Sequence, residues 1–193
     1  MTSFKKKYNK KSLRLPNRDY RANGWYFVTI CTRDRHHFFG NIIRGKMQLS
    51  NIGKIAKQFW LEIPQHSQYT YIDEYIIMPN HVHGIIVIDR PNNYYSKKVE
   101  MYQGKSLKDR WETEGYNLPR EMSKLAPKAN SLSVIIRSYK SSVTRWCKQN
   151  GYNNFAWQSR FYEHIIRKDG SINRIRHYII NNPLKWEFDA NNK

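Results

Sequence analysis

Tyr75-Ile76-Ile77-Met78-Pro79-Asn80-His81-Val82-His83-Gly84-Ile85-Ile86-Val87-Ile88 is the stretch on which the fold turns. It is almost continuously apolar and rich in β-branched residues. That is the composition of a central strand covered on both faces, not of a half-exposed one. Only Pro79 and Asn80 separate a strand over about 70–79 from one over about 81–89, which leaves a hairpin and one long bent strand both open. Side chains alternate across a strand, so His81 and His83 project to the same face. Two imidazoles on one rigid face can grip a single divalent cation, but the pattern by itself serves packed or surface histidines equally well.

Working outward, Trp25 to Thr32 (WYFVTICT) is aromatic and β-branched and reads as a strand, with Lys46 to Leu49 as a short partner strand. Ser50 has the character of an N-cap for a helix from about Asn51 to Ile63, with Ile52, Ile55, Ala56, Phe59 and Trp60 on one face and Pro64 as its stop. Residues 90–130 change character: Pro91, Asn92 and Asn93 open a polar stretch of mixed charge, punctuated by Pro119 and Pro127. This is the pattern of a long loop or insertion, with a short helix at about 105–114. From Ser131 a second helix carries Leu132, Ile135, Ile136, Tyr139, Val143 and Trp146 at helical spacing, and Arg137, Lys140, Arg145 and Lys148 on its other face. A turn and short strand over Trp157 to Arg167 follow, then a last helix over about Ser171 to Asn182. Ile172, Ile175 and Ile179 form its buried side, and Pro183 comes just after it. Helices interleaved with these strands predict an α+β sandwich, a mostly antiparallel sheet with helices packed on it. No internal repeat is evident.

The 193 residues suit one domain with a proper core. Lysine and arginine number 34 against 15 acidic residues, a formal net charge of +19 that points to a polyanionic partner. A membrane surface fits less well than nucleic acid, because no long apolar segment or basic amphipathic anchor is present. Residues 1–21 read as a basic flexible arm, with Lys5, Lys6, Lys7, Lys10, Lys11, Arg14, Arg18 and Arg21 against Asp19 alone. Lys5–Lys7 follow Phe4 so soon that no signal-peptide core is seen. Cys31 and Cys147 lie far apart in apolar patterns, which argues against a disulfide framework and for a reducing cytoplasm. Aromatics are 15% of the chain, with 14 tyrosines and 6 tryptophans. Basic charge among flat rings suits single-stranded nucleic acid, although at least half of these rings are expected in the core.

The last helix supplies further chemistry. Tyr178 and Asn182 are four residues apart and so share a helix face. If that face meets the strand bearing His81 and His83, two imidazoles, a carboxamide and a phenol converge. The first three make a divalent-metal site with open positions for a phosphate oxygen. The phenol is a nucleophile whose ordinary pKa of about 10 calls for help near neutral pH. A metal that polarises the phosphoryl group supplies it.

MPNHVHGIIVI, the late RIRHYIINNPLKW and the opening YFVTICT together resemble the single-tyrosine HUH transposases, and above all the REP-associated tyrosine transposases. The resemblance runs from about Pro16 to Trp186, and His81-Val82-His83 supplies the histidine–hydrophobic–histidine signature. It implies a ferredoxin-like or RRM-like sandwich and a metal-dependent single-stranded DNA endonuclease and strand transferase. In the family a tyrosine on a late helix joins the 5′ phosphate and frees a 3′ hydroxyl, a role that maps onto Tyr178. The metal, Mg²⁺ or Mn²⁺, is then expected on His81, His83 and Asn182, where relatives often carry glutamine in place of the asparagine. The implied substrate is single-stranded DNA with a hairpin, handled by a monomer or homodimer in the nucleoid-associated cytoplasm, with no membrane involved. Lys5, Lys6, Lys7, Arg14, Arg137, Lys140, Arg145 and Arg174 are the expected DNA-backbone contacts. The domain is expected to span residues 22–188, with 189–193 as a tail.

Other residues fit a plainer reading. Tyr162 has no polar partner at the helical offset of a nucleophile, His164 and Glu163 suit structural roles, and Trp157 suits packing. His177 points about a quarter turn from Tyr178, and His36, His37 and His66 read as surface residues. A non-cutting single-stranded nucleic-acid-binding protein, and a phosphodiesterase in which water attacks, are the alternatives to a tyrosine transferase.

Overall fold

The computed structural model describes residues 22–91, 131–167 and 170–192. The expected basic arm at 1–21, with Lys5, Lys6, Lys7 and Arg14, and the expected helix at 105–114 lie outside the described residues. In chain order the elements are β1 (Gly24–Cys31), β2 (Gly40–Ile43), β3 (Lys46–Leu49), α1 (Asn51–Leu61), the single turn α2 (Ile63–His66), β4 (Thr70–Met78) and β5 (His81–Ile88). They continue with α3 (Leu132–Gln149), β6 (Tyr162–Ile166), α4 (Ser171–Ile180) and a final 3-10 turn (Pro183–Phe188).

Among the described residues β4, β5, β1 and β6 form a sheet in that order, antiparallel throughout, and α1 and α3 make the two crossovers. This is the ferredoxin-like, RRM-like α+β sandwich expected from the sequence. Met78 pairs with His81, so Pro79-Asn80 is the two-residue loop of a hairpin and not a bend in one strand. β5 lies between β4 and β1, and every residue of it is buried, in keeping with its apolar run. β3 does not pair with β1 as expected; it pairs with β2 in a separate hairpin, Gly40 opposite Leu49 and Ile43 opposite Lys46. The four-residue segment Lys46–Leu49 has no feature that selects a distant strand over one beside it in sequence.

The two faces of the sheet carry different layers. On one, Val28 and Ile30 of β1 and Val82, Ile86 and Ile88 of β5 pack with Ile52, Ala56 and Trp60 of α1 and with Ile135, Ile136, Tyr139 and Val143 of α3. The α1 residues recur every four positions, and Ser50 caps the helix by accepting a hydrogen bond from the Gly53 amide at 3.1 Å. At Gly84 the Trp60 indole of α1 lies directly on the strand: a Cβ there would lie 2.3 Å from Trp60 Cζ2. On the other face α4 lays Ile172, Ile175 and Ile179 over Phe27, Ile85, Val87 and Ile166. His81 and His83 belong to this second face, because Ile85 and Val87 continue their alternation. Arg176 ties α4 to β4 through a two-pronged ion pair with Asp73, at 2.8 and 2.7 Å. No helix among the described residues is long and apolar enough to cross a membrane.

Candidate active site

His81 starts β5 directly after the tight turn, and His83 stands two residues along, opposite Thr29 of β1. Both are deeply buried, at 0% and 2% exposure, and their ring centroids are 4.3 Å apart. Each ring is oriented through Nδ1. Asn80 Nδ2 donates to the carbonyls of Arg35 and Asn191, at 3.1 and 2.8 Å, which leaves Asn80 Oδ1 as the acceptor for His81 Nδ1 at 2.9 Å. His81 Nε2 is therefore a lone pair, and it is buried with no hydrogen-bond partner. His83 Nδ1 meets Thr29 Oγ1 at 2.9 Å, and Phe27 stacks on the ring at a centroid distance of 5.3 Å. An imidazole held by a hydrogen bond on one nitrogen, with the other facing a shared space, is the usual preparation of a metal ligand. Burial lowers the pKa of both rings, His81 well below the ordinary value and His83 to about 4, so both are neutral near pH 7 and able to ligate.

α4 brings Tyr178 to the same place. Its hydroxyl lies 3.2 Å from His83 Nε2, and the residue is 46% exposed, so the tyrosine is held by the site yet open to solvent. The tyrosine and the histidines meet within one chain. Burial raises the Tyr178 pKa above 10, Asp189 adds to the rise, and the Asn182 carboxamide acts against it. Asn182 follows the end of the helix, which stops at Ile180 and not at Asn182, yet its helical backbone (φ −58, ψ −40) keeps it a turn beyond Tyr178. It is 3% exposed, its Nδ2 donates to Asp189 Oδ2 at 2.9 Å, and its Oδ1 is buried without a partner.

Asp189 carries no sequence pattern that singles it out, and it falls in the segment 189–193 expected as a tail. After α4 the 3-10 turn reverses the chain, and one carboxylate oxygen of Asp189 lies within 4.8 Å of a ring nitrogen of both His81 and His83. No periodicity marks an aspartate on such a return, so no local signal announces it. The donors present, two neutral imidazoles, a carboxylate and an unpartnered carboxamide oxygen, fit a divalent cation with mixed nitrogen and oxygen ligands.

The expected DNA contacts divide between the two faces. Arg137, Lys140 and Arg145 line a groove of about 660 Å³ along α3, with Lys148, Arg160 and Phe161. α3 covers the sheet face opposite the histidines, so this groove and Tyr178 lie on different sides of the sheet. Arg137 and Arg145 are exposed there. Lys140 Nζ already donates to the carbonyls of Gln158 and Arg160, at 2.7 and 3.1 Å, and packs over Trp157, so it pins the segment before β6. Arg174 is exposed on α4, on the side of the tyrosine. Tyr162 and His164 are exposed on the edge strand β6, and His36, His37, His66 and His177 are exposed as expected.

No family model matches the chain. An uncharacterized protein of Haemophilus influenzae is 38% identical over 186 residues, spanning 94% of this chain and 92% of that one. Among solved structures, a REP-associated tyrosine transposase bound to a REP hairpin aligns with a TM-score of 0.54 at 18% identity, over 92% of this chain and 76% of that chain. At that identity the likeness is one of fold. The chain belongs to the family of the Haemophilus influenzae protein, and its fold is transposase-like.

Proposed function

We propose that this protein is a metal-dependent single-stranded DNA endonuclease and strand transferase that works through a covalent 5′-phosphotyrosine at Tyr178. The observation that carries the reading is the meeting of the Tyr178 hydroxyl with His83 at 3.2 Å, beside a second buried, preoriented imidazole. Tyr178 is half open to solvent, so a phosphodiester can reach a phenol that the site holds. In the reaction the phenolic oxygen forms a bond to phosphorus and gives up its proton. The bond from phosphorus to the 3′ oxygen breaks, and that oxygen leaves with the electron pair and takes a proton. Strand transfer is the same exchange in reverse with a different 3′ hydroxyl.

His81, His83 and Asn182 would hold Mg²⁺ or Mn²⁺, through the ring nitrogens that Asn80 and Thr29 leave facing the site and through the unpartnered Asn182 Oδ1. When bound, such an ion withdraws charge from the scissile phosphate and steadies the developing negative charge. Thr29, Asn80 and Phe27 keep the imidazoles aligned, burial keeps them neutral, and α4 sets the phenol against His83. Arg174, on the tyrosine helix, and Arg137, Lys140 and Arg145, with Lys5, Lys6, Lys7 and Arg14, would neutralise the DNA backbone. The +19 charge supports this. The structural neighbour was captured with a REP hairpin, which supports a hairpin-bearing single strand as substrate.

The test is incubation with Mn²⁺ or Mg²⁺ and a labelled pool of single-stranded hairpins, read on a denaturing gel. A metal-dependent protein–DNA adduct that Tyr178→Phe and His81→Ala both abolish is the expected result. Cutting that survives in Tyr178→Phe would replace the tyrosine with water as nucleophile. Tight binding with no adduct from the wild type would leave a non-cutting DNA-binding protein.

A further inference from the structure

We propose that Asp189 is a protein ligand of the divalent cation, delivered to the two histidines by the chain that returns after α4; this rests on the metal-dependent reading above. Its carboxylate already stands within 4.8 Å of a ring nitrogen of each histidine. Donors about 2.1 Å from a shared octahedral ion are roughly 3 to 4.2 Å from one another, so small side-chain rotations close this group on one ion.

The carboxylate is held for that position. Asn182 Nδ2 donates to Oδ2 at 2.9 Å, and the Asn191 amide donates to Oδ1 at 2.6 Å. The Asn191 carbonyl in turn accepts from Asn80 Nδ2 at 2.8 Å, and Asn80 Oδ1 orients His81. One hydrogen-bond chain thus runs from a metal-facing histidine to the aspartate. Each carboxylate oxygen accepts a single one of these bonds and keeps a lone pair for another partner. Two more acceptors in the same place have none: His81 Nε2, in a fully buried ring, and Asn182 Oδ1. Buried polar atoms without partners are few in folded proteins, and here one belongs to Asn182, which donates to the aspartate, and another to His81, a ring nitrogen of which lies within 4.8 Å of the aspartate.

Charge gives the second argument. Two imidazoles and a carboxamide are neutral, whereas Mg²⁺ and Mn²⁺ favour anionic oxygen. The chain carries 34 basic residues against 15 acidic ones, as a polyanion binder should. A carboxylate beside the nucleophile opposes that purpose unless a cation sits on it. Asn182 then has two tasks, aiming Asp189 through Nδ2 and turning its own Oδ1 inward.

The experiment uses the full chain, stripped with EDTA and titrated with Mn²⁺ by calorimetry, with free Mn²⁺ followed by electron paramagnetic resonance. Asp189→Asn is expected to weaken Mn²⁺ binding at least tenfold and to lose most of the metal-induced rise in Tm. His81→Ala is the control for the site as a whole. Asp189→Glu and Asp189→Gln, equal in size and different in charge, separate ligation from folding: the first should bind Mn²⁺ at least fivefold more tightly than the second. If Asp189→Asn binds within twofold of wild type while His81→Ala loses the metal, Asp189 is only a latch for the returning chain. The inference then falls, and the proposed function stands. A wild type that takes up no Mn²⁺ overturns both.

Discussion

Replacing Gly84 by alanine tests the packing that holds the strand bearing His81 and His83 in place. The new Cβ would lie 2.3 Å from Trp60 Cζ2, 3.0 Å from Cε2 and 3.1 Å from Cη2. Carbon atoms rest at about 3.5–4.0 Å, so the indole or the strand must shift by more than about 1 Å. Trp60 has little freedom to do so, being fully buried with its ring 5.2 Å from that of Tyr139 and 6.3 Å from that of Tyr75. Overpacking of this kind costs about 1–3 kcal/mol, and the depth of the clash puts Gly84→Ala at about 2–3 kcal/mol. For a chain of this size that is a fall in Tm of roughly 4–12 °C, measurable by calorimetry, with urea unfolding for the free energy. Trp60→Phe supplies the compensating variant: it removes the ring atoms nearest the new methyl, and Trp60 Nε1 has no hydrogen-bond partner to lose. The double variant should be more stable than the sum of the single losses by at least about 1 kcal/mol. A Gly84→Ala protein within about 0.5 kcal/mol of wild type, or strict additivity with Trp60→Phe, would refute the argument.

Two further outcomes follow from the geometry. Thr29→Val keeps the shape of the side chain but removes the hydrogen-bond partner of His83 Nδ1, and should weaken Mn²⁺ binding about 10–100-fold in a calorimetric titration. The Asp73–Arg176 pair gives a pH signature. Its hydrogen bonds to Arg176 hold Asp73 below its ordinary 3.8, so the pair stabilises the folded state above that value and loses the effect as pH falls through the depressed one. The Arg176 side chain is 37% exposed, and solvent screening limits the contribution to about 1 kcal/mol or less. Urea unfolding of Asp73→Asn should therefore differ from wild type by that amount at pH 7 and converge with it well below pH 3.8. A difference that persists in acid would remove the ion pair as its cause.

Much of the fold was legible because its signals are local. The apolar run from Ile85 to Ile88 declares a covered strand, and the four-residue recurrence of Ile52, Ala56 and Trp60 declares a helix face. Tyr178 and Asn182 sit on one helical turn whether or not the helix proper ends at Ile180. Pairing is less local. β3 pairs with β2 and not with the expected β1, because a four-residue strand gains as much from its neighbour in sequence as from any distant edge. Lys140 looked like the other basic residues of its helix face, and only the return of residues 157–160 shows its ammonium on backbone carbonyls.

The sequence by itself determined that His81 and His83 share a strand face and that Tyr178 and Asn182 share a helix face. Strand and helix periodicity are properties of the backbone and need no partner to be read. The tertiary structure alone decided what meets across the elements. It set the Tyr178 hydroxyl against His83, aligned the histidines through Asn80 and Thr29, and folded Asp189 back onto them. The network that joins them also bonds Asn80 to Asn191, 111 positions away. Their geometry is fixed by how α4 and the returning chain pack on the sheet, and no pattern within any one segment encodes it.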